Sequence, residues 1–433
     1  MDNAEYFNVL LDNKTYYSLS LIATMLIYYV FLRRFVFSML DPLFYNFFFS
    51  ALASSTVFFL WSVDKIDDLL LFHFVFTQSV FFVFFVFFEK IFSVYFFRLK
   101  RNKIHFFSQW DNFFYFCSLS SFVFLFSLSV YFFGIPALNE MDGGSRLQNY
   151  NDSLFSNIKR FLDVFYVVIV FFALKIIFIS NNGLVGRFLA YFGLMIVIFY
   201  GVSLGSKSFF VEFLSVIFLF FFWFFGSSSN PLNRYVKFLI PIALFGCILM
   251  IYSKSANAFY YLVYRLIISG DTFYMSYPDN AYLLIDSANW FIATFNGILK
   301  NLHVISQDEV LTPLGYKLYR LYYPVDYIGP NPRHNVFGLI YYGFFGAFFY
   351  SAILGSVLGL CRGLWCARRG GRWFESILFS LLIVAASRLE LDIALAITGF
   401  INALVIYPLI FILFYFLYRF FSFSSSSFFE KNS

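Results

Sequence analysis

An all-α bundle of about eleven membrane-spanning helices is what this sequence predicts, on three grounds. Of its 433 residues 61% are hydrophobic and 12% charged, with a mean hydropathy of +0.77, and that much apolar surface cannot be hidden inside a water-soluble shell. Apolar runs of about 20 residues, enough to cross a hydrocarbon core of ~30 Å, recur along the chain. The connections between them sort by charge, as the loops of inserted helices do.

The runs fall at 16–32, 43–63, 69–88, 113–135, 158–179, 188–204, 209–225, 238–252, 336–360, 374–387 and 393–418. The first continues into Arg33 and Arg34 without a small-residue cleavage site, so it reads as a retained anchor rather than a leader. Phenylalanine does much of the filling, with 72 residues and runs such as FFVFFVFF at 81–88. One set of loops carries Arg33, Arg34, Lys90, Arg98, Lys100, Arg101, Lys103, Arg187, Arg234, Lys237, Arg362, Arg368, Arg369 and Arg372. The other set is acidic or neutral, as at Asp64, Asp67, Asp68, Asn139, Glu140 and Asp142. The positive-inside rule then puts the amino terminus outside and the carboxyl terminus in the cytoplasm. The chain divides into spans one to eight (1–252), an outer loop (253–335), spans nine to eleven (336–418) and a tail (419–433). The serine-rich stretch 422–427 of that tail is expected to be disordered. The net charge of +6 matters less than where Lys and Arg stand, and the partner expected is a lipid bilayer, with no nucleic acid. Cys117, Cys247, Cys361 and Cys366 lie in or at the ends of apolar runs and make neither a disulfide framework nor a zinc spacing.

The outer loop is too long for a connector. Within 281–302, Leu284, Ala288, Phe291, Phe295, Ile298 and Leu302 recur at steps of three and four, which predicts an amphipathic helix on the membrane or capping the bundle. A second is expected at 256–268, around Arg265. Further on, Tyr316, Tyr319, Tyr322, Tyr323 and Tyr327 stand among prolines and glycines. Such a surface stacks sugar rings, or forms the aromatic belt of a membrane interface.

The densest polar cluster opens the stretch PNPRHNVFGLIYYGFFG at 330–346. Its prolines disfavour a helix before Arg333. Arg333, His334 and Asn335 are expected at the hydrocarbon boundary, and Gly338, Gly343 and Gly346 should give the following helix a smooth contact face. Cations also mark the outer ends of other spans: Lys207 in GSKS, Arg265, Arg320, and Arg388 in RLELD. A charge at membrane depth costs about 2.5–3.5 kcal/mol. Each cation alone fits snorkelling or a carboxylate partner; together, on the side where cations are disfavoured, they point to an anionic ligand. A diphosphate suits the planar fork of arginine. Asp271, in RLIISGD, is placed to orient a hydroxyl or to pair with Arg265. His334 is the most natural proton acceptor on the outer face; His303 reads as solvated, and His73 and His105 as structural. The outer loops hold no DxD and no His/Asp cluster, so no metal is expected.

The stretch 330–346, the GSKS turn, the RLIISGD segment and the long loop before the His-containing span together resemble the O-antigen (oligosaccharide repeat unit) polymerases of the Wzy type. The His-Asn start followed by glycines is shared with the related O-antigen ligases. The likeness runs from about Gly205 onward. Two departures stand out: the residue eleven after Arg333 is Phe344, so the Arg-x10-Gly pattern of some members is missing, and Lys207 occupies a position where relatives often have Arg. The resemblance implies a bacterial inner-membrane glycosyltransferase with a GT-C-like helical fold, a periplasm-facing site and neither metal nor other cofactor. Its substrates would be glycans on undecaprenyl diphosphate, and a chain-length regulator would be its protein partner. It implies that Arg265 and Arg333 hold the departing diphosphate with Lys207 or Arg388 assisting, that His334 takes or orients the acceptor proton, and that Asp271, Arg320, Tyr323 and Asn335 position substrate. The alternatives are the ligase and a flippase or transporter of lipid-linked sugars. A transporter is expected to show pseudo-symmetric halves and charged or broken helices at the midplane; the sequence displays neither, Lys175 being its one candidate charge inside a span.

Overall fold

The computed structural model describes residues 1–96, 109–135, 153–179, 183–205, 207–226, 258–287, 289–301, 304–306, 309–324, 329–368 and 372–429. The expected eighth span at 238–252, with Cys247, His105 and His303, lies outside them. The described chain is helical, without strands. Its longer helices are α1 (Asn3–Asp12), α2 (Lys14–Leu32), α3 (Pro42–Ser62), α4 (Asp68–Phe96), α5 (Gln109–Phe133), α6 (Ser153–Phe178), α7 (Leu184–Leu204) and α8 (Lys207–Phe225). After them come α9 (Ala258–Ile267), α10 (Asp271–Ser276), α11 (Trp290–Asn301), α12 (Leu314–Arg320), α13 (His334–Ala367), α14 (Trp373–Ser387), α15 (Ile393–Ile401) and α16 (Tyr407–Phe429). Among the described residues, eight helical stretches are long and apolar enough to cross a membrane, and 209–225 and 373–387 are shorter apolar helices. The protein is a membrane-embedded helical bundle.

Two compact units make up the chain. The first comprises Met1–Leu99, Ser227–Arg368 and Ile383–Thr398; the second comprises Lys100–Gly226, Arg369–Leu382 and Gly399–Ser433. In the first unit α3 is the central helix: 72% of its apolar window is buried, against 17% for the neighbouring α2. Its start is fixed twice over. The Asp41 side chain accepts from Leu43 N and Pro42 occupies the first turn, a favourable pairing of cap and proline. The same carboxylate takes a bidentate bond from Arg362 at 3.1 and 2.5 Å, the guanidinium also donating to Phe35 O at 2.8 Å and lying 4.6 Å from the Phe37 ring. This buried pair ties the α2–α3 connection to the end of α13.

The expected straight helix after Arg333 is a hairpin. Gly343 adopts φ +71°, ψ 180°, a left-sided backbone that favours glycine. A Cβ on Gly338 would stand 3.0 Å from that of Ala347, and the Phe337 and Tyr350 rings stack at 5.6 Å. In a continuous helix those two residues would be about 20 Å apart. The short limb runs along α4 from Phe81, which faces His334 at 4.8 Å, up to His73, which faces Phe344 at 5.1 Å. The long limb returns down α4, where Gly355 and Gly359 sit against the carbonyls of Phe81 and Phe85. Gly338 is a contact glycine as expected, between the two limbs, whereas Gly343 makes the bend; Gly355, Gly359 and Gly363 form the contact stripe against α4.

A second reversal lies in the former loop. The Tyr264 ring stacks on Phe7 and the Tyr274 ring on Tyr6, so both flanks of the 3-10 turn Ile268–Gly270 return to α1, and the turn itself reaches Thr56 of α3. The amphipathic helix expected over 281–302 is shorter than its periodicity: Pro278–Leu284 is a 3-10 turn, Asn289 takes φ +71°, and α11 begins only at Trp290. The helix expected at 256–268 is α9. α16 extends to Phe429.

In the second unit α6 is the most buried span, at 78% of its window. Lys175 on it donates to Asp111 of α5 at 3.1 Å, both side chains 4% exposed, so the charge singled out inside a span is half of a structural ion pair. Trp110, Phe114, Trp373 and Phe411 pack together nearby.

Candidate functional site

Three turns of the first unit converge on the middle third of α3: the 268–270 turn, the start of α13 and the 388–392 turn between α14 and α15. Arg333, the residue preceding α13, is 5% exposed. Its Nη2 donates to Phe49 O at 3.1 Å and Ser269 O at 3.4 Å, which leaves its Nε and Nη1 groups without a protein acceptor among the described residues. His334 N donates to Glu390 O at 3.3 Å, keying the third turn to the first residue of α13.

The Glu390 carboxylate, 1% exposed, accepts from Gln78 Nε2 at 2.7 Å, Asn46 Nδ2 at 3.1 Å and the Ser50 hydroxyl. Asn335 Nδ2 donates to Thr77 Oγ1 at 2.8 Å and Gln78 Oε1 at 3.2 Å. Tyr28 OH closes the network against Ser50 and Ser54 at 3.0 and 2.8 Å. Asp271 accepts from Thr272 N at 2.9 Å, and Thr272 Oγ1 donates to Asn331 O at 2.5 Å, which holds α10 to the segment entering α13.

Arg333 thus stands in the field of two carboxylates, Asp271 and Glu390, without a direct ion pair to either among the described residues. Burial pushes the Asp271 carboxyl up to about 6, against the opposing pull of Arg333 and Arg265. Burial likewise raises Glu390, against its hydrogen-bond donors and Arg333. A guanidinium with open donors can bind an anion, and acids whose proton affinity is raised nearby can hold or accept a proton.

The position differs from the one expected. Arg333, His334 and Asn335 stand level with the middle of α3 and α4 rather than at the end of the spans, because the prolines carry an extended strand of chain inward before the helix starts. His334 is 1% exposed and neither ring nitrogen has a hydrogen-bond partner among the described residues. His73 is 0% exposed and its ring nitrogens are likewise unpartnered. Arg265 is exposed at the end of α9 and shares with Arg333 the neighbourhood of Asp271. Tyr319 lies near both Arg265 and Asp271 and stacks on Tyr323 at 4.5 Å; Tyr323 OH accepts from Asn3 N at 2.9 Å. Arg320 is exposed at the end of α12, and Arg388 is half-buried at the start of the 388–392 turn. Lys207 opens α8 in the second unit, and its side chain is outside the described residues.

Glu390, Gln78, Asn46 and Tyr28 were not singled out from the sequence. A signal was present, since amides within LFYNFFFS and HFVFTQSV are polar groups inside apolar spans and need partners there.

Beside the network, α2, α3 and α4 enclose an apolar groove of about 620 Å³. Tyr28, Ser54 and Gln78 line its polar part, and Phe31, Val83 and Phe87 stand exposed along it. The groove is within the size range of small-molecule sites. Among the described residues no group of three or more His, Cys, Asp or Glu side chains is arranged to hold a metal ion. Comparison with protein-family models, curated proteins and solved structures gives no match for this chain.

Proposed function

We propose that the chain is a polyprenyl-diphosphate-dependent glycosyltransferase, an O-antigen polymerase of the Wzy type in the bacterial inner membrane. The observation that carries this reading is Arg333: a buried guanidinium with open donors in the field of two carboxylates, in a unit whose apolar groove, lined in part by Tyr28 and Gln78 of the same network, is of a size that suits a lipid tail. The lipid-linked donor enters from the side with its chain in the groove between α2, α3 and α4. Its diphosphate takes the free Nε and Nη1 donors of Arg333, with Arg265 at the outer edge. As the glycosidic bond to the leaving diphosphate breaks, fixed positive charge in a water-poor site stabilises the charge that develops. The acceptor hydroxyl gives its proton to Asp271, whose raised carboxyl is better matched to neutral pH than an ordinary aspartate. Asn335 and Gln78 hold the α13 start and His334 packs it against Phe81, so His334 positions rather than titrates. Tyr319 and Tyr323 offer ring faces to the sugars.

A second reading has its own support. A helix broken at Gly343, an α14 of only 15 residues and acids level with the middle of the spans are features of transporters, and lipid-linked sugars would then be moved rather than joined. One experiment separates the two. Purified protein in vesicles is given synthetic repeat units on lipid diphosphate, with and without chelator, and both product length and sidedness are read. A ladder of lengthened glycan that persists with chelator is the expected result. Units that cross the bilayer without lengthening refute the polymerase and leave the transporter. Gene deletion distinguishes the sister ligase, since loss of polymerase leaves single-repeat lipopolysaccharide and loss of ligase leaves bare core.

A further inference from the structure

Glu390 has no part in the reaction just described, yet its buried carboxylate is held, among the described residues, by side chains alone. Three side-chain donors on two helices meet it: Asn46 and Ser50 from α3 and Gln78 from α4. The charged and titratable groups around it are Arg333 and His334 of α13, Asp271 of α10, Tyr28 of α2, His73 further along α4, and Arg388 and Asp392 of its own turn. Of these Arg333 supplies the positive charge that counts most, and it does so at a distance, being anchored instead on the carbonyls of Phe49 and Ser269. A second detail concerns Asn46. The residue is 3% exposed and its Oδ1 is a buried acceptor with no donor among the described residues, although the same amide contacts the carboxylate through Nδ2.

We propose that Glu390 is an exchangeable proton site, loaded when an anionic group settles on Arg333. The inference rests on the anion-binding reading of Arg333 given above. A buried carboxylate keeps its charge only while hydrogen bonds and a counter-charge outweigh desolvation. When a diphosphate takes the open donors of Arg333, its negative charge cancels the field that Glu390 relied on. The carboxylate then accepts a proton from water at Oε2, and a half-turn of the Asn46 amide presents Oδ1 as the acceptor of the new O–H. Departure of the diphosphate restores the field, and the proton returns to water. Binding of the anionic ligand and uptake of a proton are thereby one linked event.

The test uses the full-length protein in nanodiscs with geranyl diphosphate as probe. Calorimetry in buffers of different ionisation enthalpy should show about one proton taken up per ligand bound. Infrared difference spectra should show a carboxylic-acid band arising on binding. Glu390→Gln should remove about one proton of that uptake together with its infrared band, whereas Asp271→Asn should leave that band in place. Binding without proton uptake, or uptake undiminished in Glu390→Gln, overturns the inference while leaving the proposed function standing. Absence of binding overturns the proposed function and the linkage with it. Acid titration of the ligand-free protein then judges the site by itself: a carboxyl band lost in Glu390→Gln supports it, and no such band refutes it. Should Glu390→Gln fail to accumulate, Gln78→Leu replaces it. Removing that donor should move the titration to higher pH, and an unmoved titration refutes the site.

Discussion

Removing the Arg333 side chain should damage the fold as well as the activity, and the damage should be repairable in part at Glu390. Arg333→Ala deletes a guanidinium that is 5% exposed and leaves the carboxylates of Asp271 and Glu390 without its field. The change also strips Phe49 O and Ser269 O of their donor, and leaving buried acceptors unsatisfied costs about 1–3 kcal/mol, a factor of roughly 5 to 150 in the folded-to-unfolded ratio at ~1.4 kcal/mol per tenfold. Against a typical margin of about 5–15 kcal/mol, that is enough to lower both yield and melting temperature. In Arg333→Ala/Glu390→Gln the carboxamide keeps partners on Asn46, Ser50 and Gln78 but carries no charge, so part of the loss should return while glycan synthesis stays absent. The assay is a double-mutant cycle on detergent-solubilised protein, with thermal stability followed by fluorescence-detected size exclusion. If Arg333→Ala melts with the parent, or if the two losses simply add, Arg333 and Glu390 do not share a field and the site is misread.

Two further outcomes follow from particular contacts. Gly338→Cys/Ala347→Cys, in a background without the native cysteines, should form an intrachain disulfide on mild oxidation, because a Cβ at 338 would lie 3.0 Å from that at 347; disulfides need ~3.5–4.5 Å, whereas a straight helix would hold the pair about 13 Å apart. Two thiols still open to alkylation after oxidation would show that α13 is not a hairpin. For Asp271, held near 6 rather than at its ordinary value of 3.8, activity and stability should change with pH in opposite directions. As a base it must be ionised, so the rate rises through pH ~6; as a group whose folded-state affinity for a proton exceeds its unfolded one, it withdraws stability as pH rises from ~4 to 6. Asp271→Asn should flatten both profiles, and a rate limb that survives this change would assign the base elsewhere.

Much of the fold was legible from the order of apolar runs, since a bilayer demands stretches of a set length and rejects unpaired backbone. The helix start at His334 followed from the two prolines, and the polar cluster around Arg333 was visible in the density of polar residues there. The hairpin did not. Gly343 has the same local surroundings as a contact glycine, and only the packing of Phe337 on Tyr350 distinguishes a bend from a smooth face. The same holds for Lys175, which looks like a stranded charge until Asp111, 64 residues earlier, is found against it. Glu390 is hidden for a related reason: the acid is held by amides and a serine from distant parts of the chain.

The amino-acid sequence by itself determined that this chain lives in a membrane, where most of its spans begin and end, and which polar residues have to be explained. Tertiary structure decided how deep those residues sit and which of them meet, because depth is set by where turns reverse and a reversal depends on contacts between residues far apart in the chain. Hydropathy is a sum along the chain; the field around Arg333 is a sum over space.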